Sequence, residues 1–306
     1  MKKFITKSFL YFIPFIVFLI FVESFITLKS NSFNLKHKYL KDNIHKLQCA
    51  FLGSSYTQNA INPEFISRAS INLGYGGQDY QINERLFISK LVNSNIKTIF
   101  LELNYNSLIK KNDSDYFRFG WYYYYYNINL NNLSLINKIY LYKSSPKYFN
   151  NYILTSFSAD KYEYNINRYG FITNDFPGKF LEFKYNDSLI YNHYKKKRGS
   201  KKININDTFN KEKINTIINL SNKNNIKIVL IKYPMYSSFR GKFFPHLLKQ
   251  NKNYIDSLLA SNQNISYLNF EKDNRFLTTD FKNESHLNSN GAKKLTLIVN
   301  EYLEKN

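Results

Sequence analysis

The stretch Cys49-Ala50-Phe51-Leu52-Gly53-Ser54-Ser55-Tyr56-Thr57-Gln58 runs from apolar residues into a glycine, then two serines, then a helix-compatible segment. A short apolar run closed by a turn signal has the length of one buried strand. At the carboxyl end of a parallel strand the chain turns into a helix, so a side chain there faces a crevice beside unbonded backbone N–H groups. Ser55 is thus a candidate nucleophile. The bland alternative is a serine that caps the helix. A serine hydroxyl is a weak nucleophile on its own and needs a base for its proton and donors for the oxyanion. The polar segment from Asp280 to Ala292 holds His286 just before a closing helix, where an imidazole can reach the end of the first strand.

The elements that must position these groups follow from hydrophobic periodicity. Residues 59–67 read as a loop and short helix, with Pro63 acceptable in a first turn. A second strand over 69–73 ends in Gly74-Tyr75-Gly76-Gly77, where so much glycine implies a sharp turn or a close approach. A helix over 78–92 and a strand over 97–103 come next. The pattern resumes with a helix over 208–224, a strand over 226–231, a helix over 245–261, a strand over 265–270 and a helix over 292–303. Such alternation predicts an α/β domain, with helices on both faces of a mostly parallel sheet of five strands. It breaks between about 106 and 206, which reads as an insertion beside the site. This stretch carries Asp115-Tyr116-Phe117-Arg118-Phe119-Gly120-Trp121 and the tyrosine run Tyr122 to Tyr126. Such a cluster reads first as local packing and second as a surface for sugar rings.

Residues 8–28 are almost wholly apolar and follow Lys2, Lys3 and Lys7. About 20 such residues cross a bilayer core as a helix, and the flanking lysines put 1–7 in the cytoplasm and the rest outside. No small-x-small site follows the run, so an uncleaved signal anchor is expected over a cleaved leader. Glu23 would lie near the far interface, and Pro14 would kink the helix. Residues 29–45 read as a polar tether without a packing signal, and 46–306 as the folded domain. The lone Cys49 excludes an intrachain disulfide framework.

The formal net charge is +21, which would ordinarily suggest a nucleic-acid partner. Abundant Lys, Asn, Ile, Tyr and Phe beside scarce Ala, Gly and Arg instead reflect an AT-rich coding sequence. The lysines are dispersed apart from Lys195-Lys196-Lys197-Arg198, which reads as a solvated loop, so no nucleic-acid partner is expected. No His, Cys and carboxylate set has metal-ligand spacing, and no glycine loop ends in Gly-Lys-Ser/Thr; neither a metal nor another cofactor is expected.

Taken in order, Gly53-x-Ser55, Asn72-x-Gly74-x-x-Gly77, a strand ending near Asn104, and His286-Leu287-Asn288-x-x-Gly291-Ala292 resemble the SGNH (GDSL-like) hydrolase superfamily. The resemblance implies a flavodoxin-like three-layer sandwich and serine-dependent acyl-ester chemistry. Carried over, Ser55 is the nucleophile, with Ser54 where the family block has Asp, and His286 is the general base. The backbone N–H groups of Ser55 and Gly77 and the Asn104 side chain would form the oxyanion hole, although Glu102-Leu103 departs from the family's Gly-x-Asn-Asp. Asn283 stands where the family places the acid that orients the histidine; Asp280 or Glu284 would be a substitute acid, or a Ser-His dyad would operate.

An anchor followed by such a domain resembles the bacterial envelope proteins that work beside membrane-bound O-acyltransferases in alginate O-acetylation and teichoic-acid D-alanylation. The expectation is a membrane-anchored, extracytoplasmic serine esterase or O-acyltransferase that transfers or removes an O-acetyl or similar acyl group on an envelope or exported polysaccharide. The alternative is a catalytically inactive envelope protein of the same fold that binds glycan or a membrane acyltransferase.

Overall fold

The computed structural model describes residues 2–28, 31–104, 108–109, 111–112, 116, 118–130, 133–144, 150, 153–154, 165–174, 179–195, 207–240 and 245–306. Lys196, Lys197 and Arg198 of the basic run, and Asp115 and Phe117 of the insertion, lie outside them.

Helix α1 (Lys2–Leu28) contains Pro14. Its window Leu10–Leu28, 19 residues of mean hydropathy 2.2, is 6% buried. At a rise of about 1.5 Å per residue it is long enough to cross much of a bilayer core. Helix α2 (Ser32–Asn43) follows, then β1 (Cys49–Leu52), α3 (Ser55–Ala60), β2 (Ser70–Asn72), α4 (Tyr80–Leu86), β3 (Thr98–Glu102) and α5 (Phe119–Tyr126). After the insertion come α6 (Asp207–Lys223), β4 (Lys227–Lys232), α7 (Pro245–Ser261), β5 (Ile265–Asn269), β6 (Phe281–Asn283), β7 (His286–Leu287) and α8 (Ser289–Lys305).

Strands β1 to β5 form a parallel sheet in the order β2-β1-β3-β4-β5, the order of a flavodoxin-like doubly wound fold. This is the three-layer α/β architecture that the alternation implies. Period-two alternation sends side chains to two cores. Ala50, Leu52, Ile99, Leu101, Ile228 and Leu230 face a core shared with α4, α6 and α7. Cys49, Phe51, Phe100, Val229 and Ile231 face a second core closed by α3 and α8. Phe51 stacks on Phe100 across neighbouring strands, centroids 4.5 Å apart.

Two sequence expectations need correction. Residues 32–43 are a packed helix rather than part of a tether. Asn31 Oδ1 accepts the N–H groups of Phe33 and Asn34, and Asn34 Oδ1 accepts that of Asn31, a reciprocal cap. Phe33, Lys36 and Leu40 are buried; they share one helical face, but the lysine in the middle breaks the apolar stripe that periodicity looks for. Glu23 of α1 accepts the backbone N–H groups of Leu141 and Tyr142 at 2.7 and 3.2 Å. Second, the segment carrying His286, which reads as a polar loop in the sequence, contains the antiparallel hairpin β6–β7. The tyrosine run is the helix α5, with Tyr122 and Tyr126 buried and Tyr124 exposed, so most of it is packing.

Candidate active site

Ser55 is the first residue of α3, and Ser54, in extended conformation, is its N-cap. The capping role therefore belongs to Ser54, while Ser55 presents an N–H that its own helix cannot bond. Beneath this turn lies Glu102, the last residue of β3 and 1% exposed. Its carboxylate accepts Ser54 N–H at 2.7 Å, Ser54 Oγ at 2.7 Å, Thr57 N–H at 3.2 Å and Thr57 Oγ1 at 2.8 Å. A Cβ on Gly53 would stand 2.0 Å from Thr57 Oγ1 and 2.5 Å from Glu102 Oε2, so only glycine lets β1 pass this carboxylate.

Hairpin β6–β7 brings His286 to the same point: Nε2 lies 2.8 Å from Ser55 Oγ. Asn283 Oδ1 accepts the N–H groups of Ser285 and His286 at 3.0 Å and lies 3.0 Å from His286 Nδ1. Two backbone donors converging on one atom identify it as the amide oxygen. Nδ1 must then carry the ring hydrogen, which leaves the Nε2 lone pair for the serine hydroxyl. Burial, followed by the nearby Lys282 ammonium, pushes the imidazole pKa down to about 3. No hydrogen bond or ion pair joins His286 to either substitute acid. Asp280 pairs with Lys294 at 2.5 Å and accepts Leu277 N–H, while Glu284 Oε1 accepts Ser238 Oγ.

The glycine turn faces the serine from β2. Asn72 Nδ2 donates to Thr57 O and Ile61 O, and its Oδ1 accepts Gly74 N–H. Tyr75 N–H donates to Gly53 O at 3.2 Å, and Gly76 N–H to Gln58 Oε1 at 2.8 Å. The Gly76 carbonyl is held by Tyr116 OH and by Arg118. In a trans peptide N–H and C=O point opposite ways, so these contacts also set the direction of Gly77 N–H. Gly77 itself has φ +83°, and its carbonyl accepts Asn112 Nδ2. The glycine measured against the nucleophile is Gly76, where a Cβ would stand 3.8 Å from Ser55 Cβ. Asn104 follows β3 and is wholly buried; neither polar atom of its side chain bonds a described residue. Native proteins rarely leave such groups unpaired.

No protein-family model matches the sequence, and no curated protein does. Among solved structures the chain is similar to a GDSL-like lipase from Bacteroides thetaiotaomicron, at 12% identity and TM-score 0.44 over 90% of this chain and 99% of that one. It is also similar to a protein named as an acylhydrolase from Bacteroides fragilis, at 13% identity and TM-score 0.42 over 90% and 99%. Likeness at this level assigns no activity, so every role rests on the side chains themselves.

Sequence reasoning missed Glu102, Gln58 and Lys282. Glu102 did leave a signal, a lone carboxylate ending an otherwise apolar strand. Lys282 donates to Asn59 Oδ1, and Asn59 Nδ2 donates to Ser55 O, contacts that no spacing announces. Beside the hairpin lies an open groove of about 840 Å³ over the ends of β4 and β5, walled by Tyr185, Tyr191, Tyr236 and Phe276 with Asp187 on its rim. Phe281 of β6 also lines it, so the groove and the imidazole share one hairpin.

Proposed function

We propose that this chain is a membrane-anchored, extracytoplasmic serine esterase or O-acyltransferase of the SGNH type, acting on an envelope or exported polysaccharide. The observation that carries the chemistry is the 2.8 Å contact between Ser55 Oγ and His286 Nε2, with Nδ1 held by Asn283. Ser55 Oγ attacks the acyl carbon as His286 Nε2 takes its proton. The carbonyl oxygen becomes an oxyanion facing the N–H groups of Ser55 and Gly77 and the Asn104 amide, the groups proposed as its donors. Collapse expels the alkoxide, which recovers the proton from His286 and leaves acyl-Ser55. Water or a sugar hydroxyl then gives its proton to His286, attacks the acyl-enzyme and restores Ser55.

The apolar helix α1 supports the anchor, its lysines support the outward orientation of the domain, and the aromatic groove supports a sugar chain as acceptor. A membrane-bound O-acyltransferase partner belongs to the same reading. The test is labelling of the detergent-solubilised chain by a fluorophosphonate. Labelling lost in both Ser55→Ala and His286→Ala is the expected result; labelling retained in Ser55→Ala would overturn the assignment. One observation favours the second reading, a non-catalytic glycan or acyltransferase binder: among the described residues, no carboxylate bonds the His286 ring, whose partners are Ser55, Asn283 and Ser285. An unlabelled parent with a native circular dichroism spectrum would select it.

A further inference from the structure

Helix α2 contributes a buried cation that the proposed chemistry leaves unused. Lys36 is 2% exposed, and its Nζ donates to the Gly74 carbonyl at 2.7 Å. The ammonium also stands 5.7 Å from the centre of the Tyr75 ring. No carboxylate lies within ion-pair distance of it among the described residues, and burial alone holds its pKa down to about 7. The insertion closes over the stem: Gly170, at φ +74°, would place a Cβ 2.5 Å from Lys36 Cγ, and Ser32 Oγ donates to Gly170 O.

A buried amine without a carboxylate partner in such a place costs stability that an apolar side chain of the same length would not. Packing therefore does not explain it, and what it touches does. The Gly74 carbonyl and the Tyr75 N–H belong to one peptide unit. Lys36 holds the oxygen of that unit and Gly53 O holds its hydrogen, so the plane is fixed at both ends. This peptide opens the turn that reaches Gly76, opposite Ser55, and Gly77, the proposed oxyanion donor.

We propose that α2 is part of the active site, with Lys36 a positioning residue that fixes the glycine turn against the nucleophile. The inference deepens the serine-acyl reading and rests on it for its kinetic consequence. Lys36→Met keeps the stem and removes the donor. In the full chain in detergent the expected result is threefold: fluorophosphonate labelling of Ser55 slows at least about tenfold, amide exchange at Tyr75, Gly76 and Gly77 speeds up, and the melting temperature holds or rises. Labelling and exchange equal to the parent would overturn it, as would a drop in melting temperature that accounts for the lost labelling. Lys36→Gln, shorter and neutral, checks the same outcomes if the methionine variant misfolds. Should the parent resist labelling, the serine reading fails by itself and amide exchange still decides the role of Lys36.

Discussion

At the scale of single residues, the pairing of Asn283 with His286 governs how the site responds to pH. A general base works only while neutral. With the imidazole pKa near 3, the labelling rate should stay flat as pH falls from 7 to about 4, where an ordinary histidine would be protonated below about 6.5. Asn283→Asp puts a negative carboxylate beside the Nδ1–H and raises that pKa. The acid limb should then move up toward the ordinary histidine range while the neutral-pH rate rises about 10- to 1,000-fold. That gain is smaller than the roughly 10⁴-fold effect of the inverse change in serine proteases, because Lys282 stays beside the ring. The pH dependence of labelling in the two proteins checks both parts. The same shift has a stability consequence. The unfolded histidine binds its proton below about 6.5, while the folded one stays neutral down to about 3, so the unfolded state holds more protons in that window. Stability is complete above about 6.5 and falls as the pH drops toward 3, by at most about 1.4 kcal/mol per unit from this group. His286→Asn should flatten that part of the urea midpoint's pH dependence. Glu102 is a different case: Glu102→Ala strands four buried donors of Ser54 and Thr57, and should cost about 3–5 kcal/mol in urea unfolding along with the labelling of Ser55.

At the scale of elements, the strands and main helices were legible because their periods are clean. The five strands of the parallel sheet fall within the predicted ones to a residue at either end, and the serine turn sits where a parallel strand must become a helix. What could not be read was polar. Helix α2 escaped because its buried face is Phe33, a lysine and Leu40. The hairpin β6–β7 escaped because three- and two-residue strands carry no periodicity. The Glu102 cradle escaped because a carboxylate is stable in a core only through partners distant in sequence. The aromatic packing of α2 gives the element-scale prediction. Phe33 contacts Tyr75, Trp121 and Tyr122 with ring centroids 4.3 to 5.1 Å apart. Phe33→Ala should therefore cost about 3–5 kcal/mol, whereas Tyr124→Ala on the exposed side of α5 should stay within about 0.5 kcal/mol. Urea unfolding of the two variants separates a packed helix from a tether.

At the scale of the whole molecule, the end of α1 is built into the domain. Ile26 is 3% exposed and belongs to the first core, and Glu23 takes the N–H groups of Leu141 and Tyr142. If α1 spans the bilayer, one face of its outer turn already packs on the domain through Ile26 and Glu23, and the Ser55 site stands at a set height above the lipid instead of swinging on a leash. A fixed height suits the proposed exchange of an acyl group with a membrane-bound partner, because each encounter then meets the site in one orientation. Glu23→Ala removes both acceptors and leaves two backbone donors without their partner. In lipid nanodiscs its Leu141 and Tyr142 amides should exchange faster while the β3 and β4 amides keep parental protection, and a fluorophore on the domain should show lower anisotropy. Anisotropy unchanged with Leu141 and Tyr142 exposed would mean that Ile26 and α2 alone hold the domain to α1.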